Sequence, residues 1–390
     1  MAVECTYVPL FGLWRPQDHL KHLYYGSGCV EKHLLSVIPS STSKVFIITG
    51  SSVATKTPSI EKLEKLLGEF HAGTYSGIKQ HGQADGVDEA TRLVIQTKGI
   101  DTILSVGGGS PIDSAKMISF RIHEATGRSL VHIAIPTTLS AAECTAGGGF
   151  TRSDGTKVGF MHPSMGVNAI FYDASIARYT PKSLWLSTGI RAVDHAVETM
   201  YHPSASEMPW KALASWALTT LAEALPQAKR LHGSDDADDI TTKLQLAAFA
   251  SSGLRGSNFR GGMGLSHALG HALGSPYGIP HGETSCLTLA PVLRYKAETD
   301  IAAAQQIARL LPALGGHCEG RGPQDEALQV AQRIENLVSE LGLTQPSLSK
   351  RGVGQDQIVV IAGRASGGDP SKDILALVEG LFQESDAELL

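Results

Sequence analysis

The stretch Gly99–Lys116, GIDTILSVGGGSPIDSAK, indicates the fold of this chain. Its β-branched part, Thr102–Val106, predicts a buried parallel strand, and Pro111–Phe120 predicts the helix that follows it. The turn between the two elements consists of Gly107, Gly108, Gly109 and Ser110. A strand, a glycine loop and a helix in this order are typical of a βαβ protein that binds a phosphate group.

Three successive glycines let the backbone approach a ligand closely, and the first turn of a helix offers unpaired N–H groups to an anion. The loop therefore suits a pyrophosphate. We expect Ser110 to cap the helix, and Asp113 to face a ribose or a nicotinamide. The loop differs from the G-x-G-x-x-G of the common dinucleotide fold, and a plain strand-to-helix turn is the alternative interpretation.

Further strands and helices are predicted on both sides of this stretch. The strands are Lys44–Thr49, Thr74–Ile78, Val131–Ile135 and Ala169–Tyr172, and the helices are Ser59–Phe70 and Val87–Lys98. After Pro181, β-branched runs become rare and amphipathic helix patterns continue to the end. We expect an α/β nucleotide-binding domain at residues 1–180 and an all-helical domain at residues 181–390, with the site in a cleft between them. The family resemblance described below implies that the first domain binds NAD(P) and the second binds a metal and the substrate.

Composition excludes several classes of protein. The chain has 390 residues, of which 42% are hydrophobic and 18% charged, so it can bury a sizeable core and is not intrinsically disordered. A net charge of −5 argues against a general nucleic-acid binder. No apolar run approaches the roughly 18 to 20 residues that span a bilayer. With five scattered cysteines and no C-x-x-C pair, we expect a cytoplasmic protein without a disulfide framework.

A second group of residues with chemical potential is rich in histidine. It contains His195, His267, His271 and His281. Residues four apart share one face of a helix, so His267 and His271 can point into one cavity, and Pro280 places His281 in a loop. Such a group suits a metal ion or a proton relay. For each histidine alone, a structural or surface role is the alternative.

In order and spacing, six segments resemble the iron-containing alcohol dehydrogenase superfamily, which has the dehydroquinate synthase-like fold. The resemblance covers most of the chain. The segments are LYYGSGCVEKHL (23–34), FIITGSS (46–52), HGQADGVDEA (81–90), GIDTILSVGGGSPIDSAK (99–116), IAIPTTLSAAEC (133–144) and GLSHALGHALGSPYGIPHGE (264–283).

The resemblance implies a role for several residues. Gly107–Ser110 would hold the pyrophosphate, and the adenine and nicotinamide sides would be lined by Thr137, Thr138 and Ser140. The ligands of Fe²⁺ or Zn²⁺ would be His195, His267 and His281, and His271 would relay a proton. Gly50, followed by Ser51, stands where NAD-preferring members carry an acidic residue, which favours NADP(H) over NAD(H). A small-molecule substrate and a homodimer are implied as well.

One position departs from the metal-dependent members. They have an Asp four residues before the first histidine ligand, and here that residue is Arg191. A guanidinium has no acceptor atom and repels cations, so it cannot ligate a metal. The position resembles that of the maleylacetate reductase branch, although that branch has a different glycine loop. Arg191 would then polarise a carbonyl or bind a substrate carboxylate in place of the metal.

We therefore expect an NAD(P)H-dependent oxidoreductase that reduces a carbonyl or a conjugated double bond. Its catalytic residues would be Arg191, His195 and His271. Three alternatives stay open: an alcohol dehydrogenase with a three-histidine metal site, a non-redox lyase or cyclase on the same fold, and a non-catalytic binding protein.

Overall fold

The structure, a computed structural model, describes residues 13–151, 157–318 and 320–383. Its strands are β1 His22–Tyr25, β2 Lys44–Thr49, β3 His71–Tyr75, β4 Ile100–Gly107, β5 Val131–Pro136, β6 Gly147–Thr151, β7 Lys157–Met161 and β8 Ala169–Tyr172. Its α-helices are α1 Cys29–His33, α2 Ser51–Lys56, α3 Ser59–Leu67, α4 Ala84–Gln96, α5 Gly109–Thr126, α6 Ala174–Ala177, α7 Lys182–Tyr201, α8 Ala212–Leu231, α9 Asp238–Ser252, α10 Leu265–Tyr277, α11 His281–Thr299, α12 Ile301–Ala308, α13 Pro323–Glu340, α14 Ile358–Ser366 and α15 Lys372–Gly380. None of the helices in this described part of the chain is long and apolar enough to cross a membrane.

The chain divides into two units. The α/β unit comprises Pro16–Trp185 and Arg230–Phe249, and the helical unit comprises Leu186–Lys229, the described part of Ala250–Leu390 and that of Met1–Arg15. A parallel sheet with flanking helices and a helical C-terminal region confirm the expected fold class. The boundary between independently folding domains at residue 180 stays a prediction.

The sheet of the α/β unit is parallel, with the strand order β1-β8-β5-β4-β2-β3. Side chains alternate between its two faces. Val45 and Ile47 belong to the core on one face, whereas Phe46 and Ile48 belong to the core on the other. Because helices cover both faces, the β2 sequence KVFIIT is apolar without alternation.

Strand β2 matches its predicted bounds, and β8 does as well. The bounds of the second predicted strand, Thr74–Ile78, are wrong, because the strand runs from His71 to Tyr75. Two features were missed. The short edge strand β1 pairs with β8 over four residues, and the β6–β7 hairpin is rich in glycine, so neither has the β-branched run that signals a strand.

In the helical unit, α11 begins against the backbone of α7. A Cβ atom at Gly282 would lie 2.6 Å from the Ser187 carbonyl carbon and 2.8 Å from its oxygen. Real Cβ atoms do not approach backbone so closely, and only glycine permits this contact. The contact sets the separation of two helices that carry histidines of the candidate site.

Gly282→Ala is expected to lower the free energy of unfolding by about 1 to 3 kcal/mol, because α7 and α11 must move apart. Urea denaturation followed by circular dichroism measures this change. Gly380→Ala is the matched control, since a Cβ atom there meets nothing within 4 Å. Equal stability of the two variants would show that the close approach does not constrain the fold.

Candidate active site

The predicted cofactor residues follow strands that end at one edge of the sheet. Strand β4 pairs with β2 on one side and with β5 on the other, with Val106 opposite Thr49 and Gly107 opposite Pro136. The chain order reverses direction between β2 and β4. Ligands of open α/β sheets bind beyond the carboxyl ends of the strands at such a switch point.

At this edge the glycine loop packs against the segment that follows β5. A Cβ atom at Gly108 would lie 3.0 Å from Thr138 Cγ2, and one at Gly109 would lie 3.4 Å from Ser140 Oγ. The Thr137 N–H donates to the Gly107 carbonyl at 2.9 Å. The structure thus brings together Gly107–Ser110 with Thr137, Thr138 and Ser140. A glycine cradle at a helix start fits a pyrophosphate.

The start of the helix after this loop differs from the prediction. Gly108, not Ser110, is the N-cap residue, and α5 begins at Gly109. The Ser110 hydroxyl instead accepts the backbone N–H of His81 at 3.0 Å. Asp113 Oδ1 lies 3.5 Å from Lys116 Nζ, so this carboxylate has a protein partner. A contact of Asp113 with ribose or nicotinamide stays a prediction.

Gly50 follows the carboxyl end of β2 and precedes α2. A Cβ atom at Gly50 would lie 3.2 Å from the Ile78 carbonyl oxygen, so a side chain can enter only after a small shift. Ser51 beside it is exposed. These positions provide no carboxylate at the end of β2.

Below the glycine loop lies a buried polar network that the sequence analysis missed. Lys116 is fully buried and donates to the carbonyl of Gly147 at 2.6 Å and to that of Ala142. The Tyr172 hydroxyl donates to Glu143 Oε1 at 2.6 Å. Burial lowers the pKa of Lys116 and raises the pKa of Glu143, each against partial compensation by its partners. The spacing of Asp113 and Lys116, three apart on a helix, was the available signal.

In the helical unit, α7, α10 and α11 bring the four predicted histidines into a row. Ring centroids are 5.3 Å apart for His195 and His267, 5.1 Å for His267 and His271, and 5.4 Å for His271 and His281. His195, which is 4% exposed, comes from α7. Helix α7 and the later, consecutive helices α10 and α11 thus form one imidazole cluster.

Arg191 lies one turn before His195 on α7 and contacts this cluster directly. Its Nη2 donates to His267 Nε2 at 2.8 Å. Its Nη1 donates to Asp194 Oδ2 at 3.1 Å and to Ser285 Oγ at 3.0 Å. The side chain is 6% exposed. Arg191 is therefore a buried cation held between a carboxylate and an imidazole.

Sequence reasoning missed the carboxylates that support this cation. Asp194 is fully buried and also accepts from the hydroxyls of Ser266 at 3.1 Å and Ser285 at 2.6 Å. Glu198 accepts the N–H groups of Ser266 at 2.8 Å and His267 at 3.3 Å, so it caps the start of α10. Asp194 and Glu198 follow Arg191 at spacings of three and seven on one helix, which was the available signal.

Burial controls the charge of these groups. It holds the pKa of His195 and that of His267 well below the ordinary value, and the Arg191 guanidinium adds to both shifts. Burial also raises the pKa of Glu198, and the negative charge of Asp194 raises it further. Burial lowers the pKa of Arg191, whereas Asp194 and Glu198 oppose the shift. The two imidazoles are neutral at pH 7, and Arg191 is the cation among them.

Comparison with known proteins identifies the class. The family model for iron-containing alcohol dehydrogenase matches residues 21–174, and the C-terminal model of the Fe-containing alcohol dehydrogenase family matches residues 185–373. The chain is 31% identical over 371 residues to dehydrogenase FUM7 of Gibberella moniliformis, covering 83% of this chain and 85% of that protein. It is 26% identical over 316 residues to a maleylacetate reductase of Sphingobium indicum, covering 80% and 81%.

A solved structure has the same fold. The maleylacetate reductase of Agrobacterium tumefaciens superimposes with a TM-score of 0.75 at 23% identity, covering 95% of this chain and 99% of that one. These matches define an NAD(P)-dependent oxidoreductase. The chain belongs to the iron-containing alcohol dehydrogenase family, in the superfamily that includes the maleylacetate reductases.

The family name implies iron, and the donor set can be tested against it. His267 Nε2 already accepts a hydrogen bond from the Arg191 guanidinium, so its lone pair is not available to a cation in this arrangement. The positive charge of the Arg191 guanidinium would also repel a metal ion. The Asp194 carboxylate, which is also on α7, accepts hydrogen bonds from Arg191, Ser266 and Ser285. These residues do not fit a divalent ion bound through His267 Nε2.

The buried Glu143 generates a test of pH dependence. Its native pKa is raised above the ordinary 4.5, so above this pH the unfolded state loses the proton that the native state keeps. Stability contributed by the protonated carboxyl is full below pH 4.5 and is lost as the pH rises toward the native pKa, by at most about 1.4 kcal/mol per pH unit.

Glu143→Gln removes this titration. We expect the free energy of unfolding of the variant, relative to the unsubstituted protein, to increase from pH 5 to pH 8 in urea titrations. Glu69→Gln, at an exposed position, makes the same chemical change on the surface and is the control. A pH-independent difference for Glu143→Gln would contradict the raised pKa.

Proposed function

We propose that this protein is an NAD(P)H-dependent reductase in which Arg191 supplies the positive charge that a metal ion supplies in other family members. The observation that supports this proposal most is the 2.8 Å hydrogen bond from Arg191 Nη2 to His267 Nε2. It puts a guanidinium at a nitrogen that the family resemblance assigns to the metal. Arg191 belongs to the same buried cluster as the histidines. We expect the substrate to be reduced at this cluster.

The guanidinium retains donors for a substrate. A guanidinium has five N–H groups. The bonds to Asp194, Ser285 and His267 occupy three of them. The second Nη2 hydrogen can donate to a carbonyl oxygen or to a substrate carboxylate. Because Asp194, Ser285 and His267 hold the cation in place before the substrate arrives, little reorganisation is needed when negative charge develops on that oxygen.

Arg191 also sets the tautomer of His267. Since Nε2 accepts its hydrogen bond, the proton of the neutral ring lies on Nδ1. Nδ1 is buried and has no protein hydrogen-bond partner, and the same is true of His195 Nδ1. These nitrogens are available to assist Arg191 at the substrate. His271, between His267 and His281, is in our proposal the group that passes a proton to the product oxygen.

The proposed reaction is reduction of an unsaturated oxo acid or a related small carbonyl compound. When bound, a reduced nicotinamide cofactor supplies the hydride. This chain's residues bind the substrate, hold its oxygen against a buried cation and deliver the proton. The maleylacetate reductases among the relatives favour a substrate that carries both a carboxylate and a reducible double bond. From the resemblance we also propose a homodimer and a cytoplasmic location.

Arg191→Ala is expected to lower kcat/KM by at least about 100-fold, because it removes a preorganised donor to the developing oxyanion. Arg191→Lys should recover only part of this loss, since an ammonium cannot bond Asp194, Ser285 and His267 as a planar fork does. NADPH oxidation with a panel of unsaturated oxo acids measures the effect. Arg309→Ala, which removes another partly buried, hydrogen-bonded arginine of the helical unit, is the control.

Arg191→Asp tests the metal directly, because it restores the residue of metal-dependent members. We expect Fe²⁺ bound through His267 in this variant and not in the unsubstituted protein, measured by mass spectrometry after soaking and desalting. Stoichiometric Fe²⁺ in the unsubstituted protein that is lost in His267→Ala would refute the proposal and favour a three-histidine alcohol dehydrogenase. Unchanged activity of Arg191→Ala would refute it as well.

We also propose that the cofactor is NADP(H), on the basis of Gly50 at the end of β2. Gly50→Asp is expected to raise the Kd of NADPH by about tenfold or more relative to NADH, because the carboxylate repels a 2′-phosphate. Fluorescence titration measures both constants. Gly50→Ala is the matched control, since it adds the Cβ atom without the charge. Equal effects of the two variants on the NADPH-to-NADH ratio would contradict the assignment.

A further inference from the structure

A second group of metal-ligating side chains lies in the α/β unit. Within residues 13–151, 157–318 and 320–383, one ligand atom from each of His123, Glu124 and His162 lies within 4.8 Å of the other two. None of the three has a role in the proposed reaction. His123 and Glu124 stand in the last turn of α5, and His162 directly follows β7.

The two imidazoles are held in place by contacts of their own. His162 packs edge-on against Phe120, with ring centroids 5.1 Å apart, and its ring lies 5.2 Å from that of His123. Phe120 stands one turn before His123 on α5 and also contacts Phe160 at 4.6 Å. The aromatic contacts therefore fix the approach of the strand end to the helix.

A serine hydroxyl lies near the Nδ1 atom of each ring. His162 Nδ1 lies 2.7 Å from Ser164 Oγ, and His123 Nδ1 lies 3.4 Å from Ser129 Oγ. A histidine that binds a metal usually donates its other ring N–H to a nearby oxygen, which fixes the tautomer. His162 Nδ1 also accepts the backbone N–H of Ser164 at 3.2 Å, so in this arrangement the ring proton of His162 lies on Nε2. A zinc ion at Nε2 would displace that proton, and Nδ1 would then donate to Ser164 Oγ in place of the bond from the Ser164 N–H.

We propose that His123, Glu124 and His162 bind one zinc ion, with water completing the coordination. Two imidazole nitrogens and one carboxylate oxygen are a donor set for a borderline-soft divalent ion rather than for Mg²⁺ or Ca²⁺. Zinc ligands at about 2.1 Å from the ion are about 3.4 Å apart in a tetrahedron, so ligand atoms that now lie up to 4.8 Å apart must approach by up to about 1.4 Å. The partial negative charge at the end of α5 also favours a cation.

Bound zinc would link the last turn of α5 to the β6–β7 hairpin. The first turn of the same helix forms part of the glycine loop. The ion therefore ties the glycine-rich hairpin to the helix on which the proposed cofactor loop is built. Its role is structural and independent of the reaction proposed above.

Equilibrium dialysis of the full-length protein against Zn²⁺, followed by mass spectrometry, tests this site. We expect one zinc per chain, with the affinity lowered at least about tenfold in His123→Gln, His162→Gln and Glu124→Gln. His71→Gln is the matched control, because His71 faces a single carboxylate, Glu64, at 3.7 Å. The exposed Glu124 provides a variant that leaves the packing of the rings intact.

Two further measurements separate this site from the central histidines. Zinc binding should persist in His267→Ala, and the absorption spectrum of bound Co²⁺ should change in His162→Gln but not in His71→Gln. Zinc that is unaffected by all three site variants, or that is lost in His267→Ala, would overturn the proposal. Neither result depends on enzyme activity, so the proposed reaction and this site can fail separately.

Discussion

The buried charge of Arg191 is the constraint on which the helical unit depends. A guanidinium removed from water must have its N–H groups bonded and its charge matched. Asp194 provides the charge, Ser285 and His267 provide acceptors, and Glu198 adds a second carboxylate nearby. These partners come from α7, α10 and α11, so satisfying one cation fixes the relative placement of three helices.

The same arrangement makes Arg191, at the position where the resemblance expects an Asp, compatible with the histidine cluster beside it. A lost acidic ligand alone would leave neutral imidazoles without a cation. Here the cation is part of the protein chain and is bonded to His267 at 2.8 Å. Asp194 accepts a hydrogen bond from Arg191 Nη1 at 3.1 Å, and its carboxylate makes the buried cation consistent with its surroundings. In the function proposed above, Arg191 thus supplies to the cluster the positive charge that a metal ion would supply.

In the α/β unit a comparable constraint lies next to the glycine loop. Lys116 is fully buried with carbonyl partners on the segment after β5 and on the β6–β7 hairpin. Glu143 and Tyr172 complete the network. A group of buried polar side chains is expensive to form and loses stability when one partner is missing. It therefore holds the hairpin and the glycine loop in one arrangement.

The sequence by itself determined the fold class, the positions of strands β2, β4, β5 and β8, and the set of glycines, threonines and histidines that carry the family resemblance, because these depend on local periodicity and short motifs. It also exposed Arg191 as a departure. Only the tertiary structure decided what Arg191, Ser110 and Asp113 contact, and it revealed Asp194, Glu198, Lys116 and Glu143 as buried partners. The bounds of strand β3 and the existence of the β6–β7 hairpin likewise became clear only in the tertiary structure. Contacts between residues more than 70 positions apart, such as Ser285 with Asp194, leave no periodic signal in the chain.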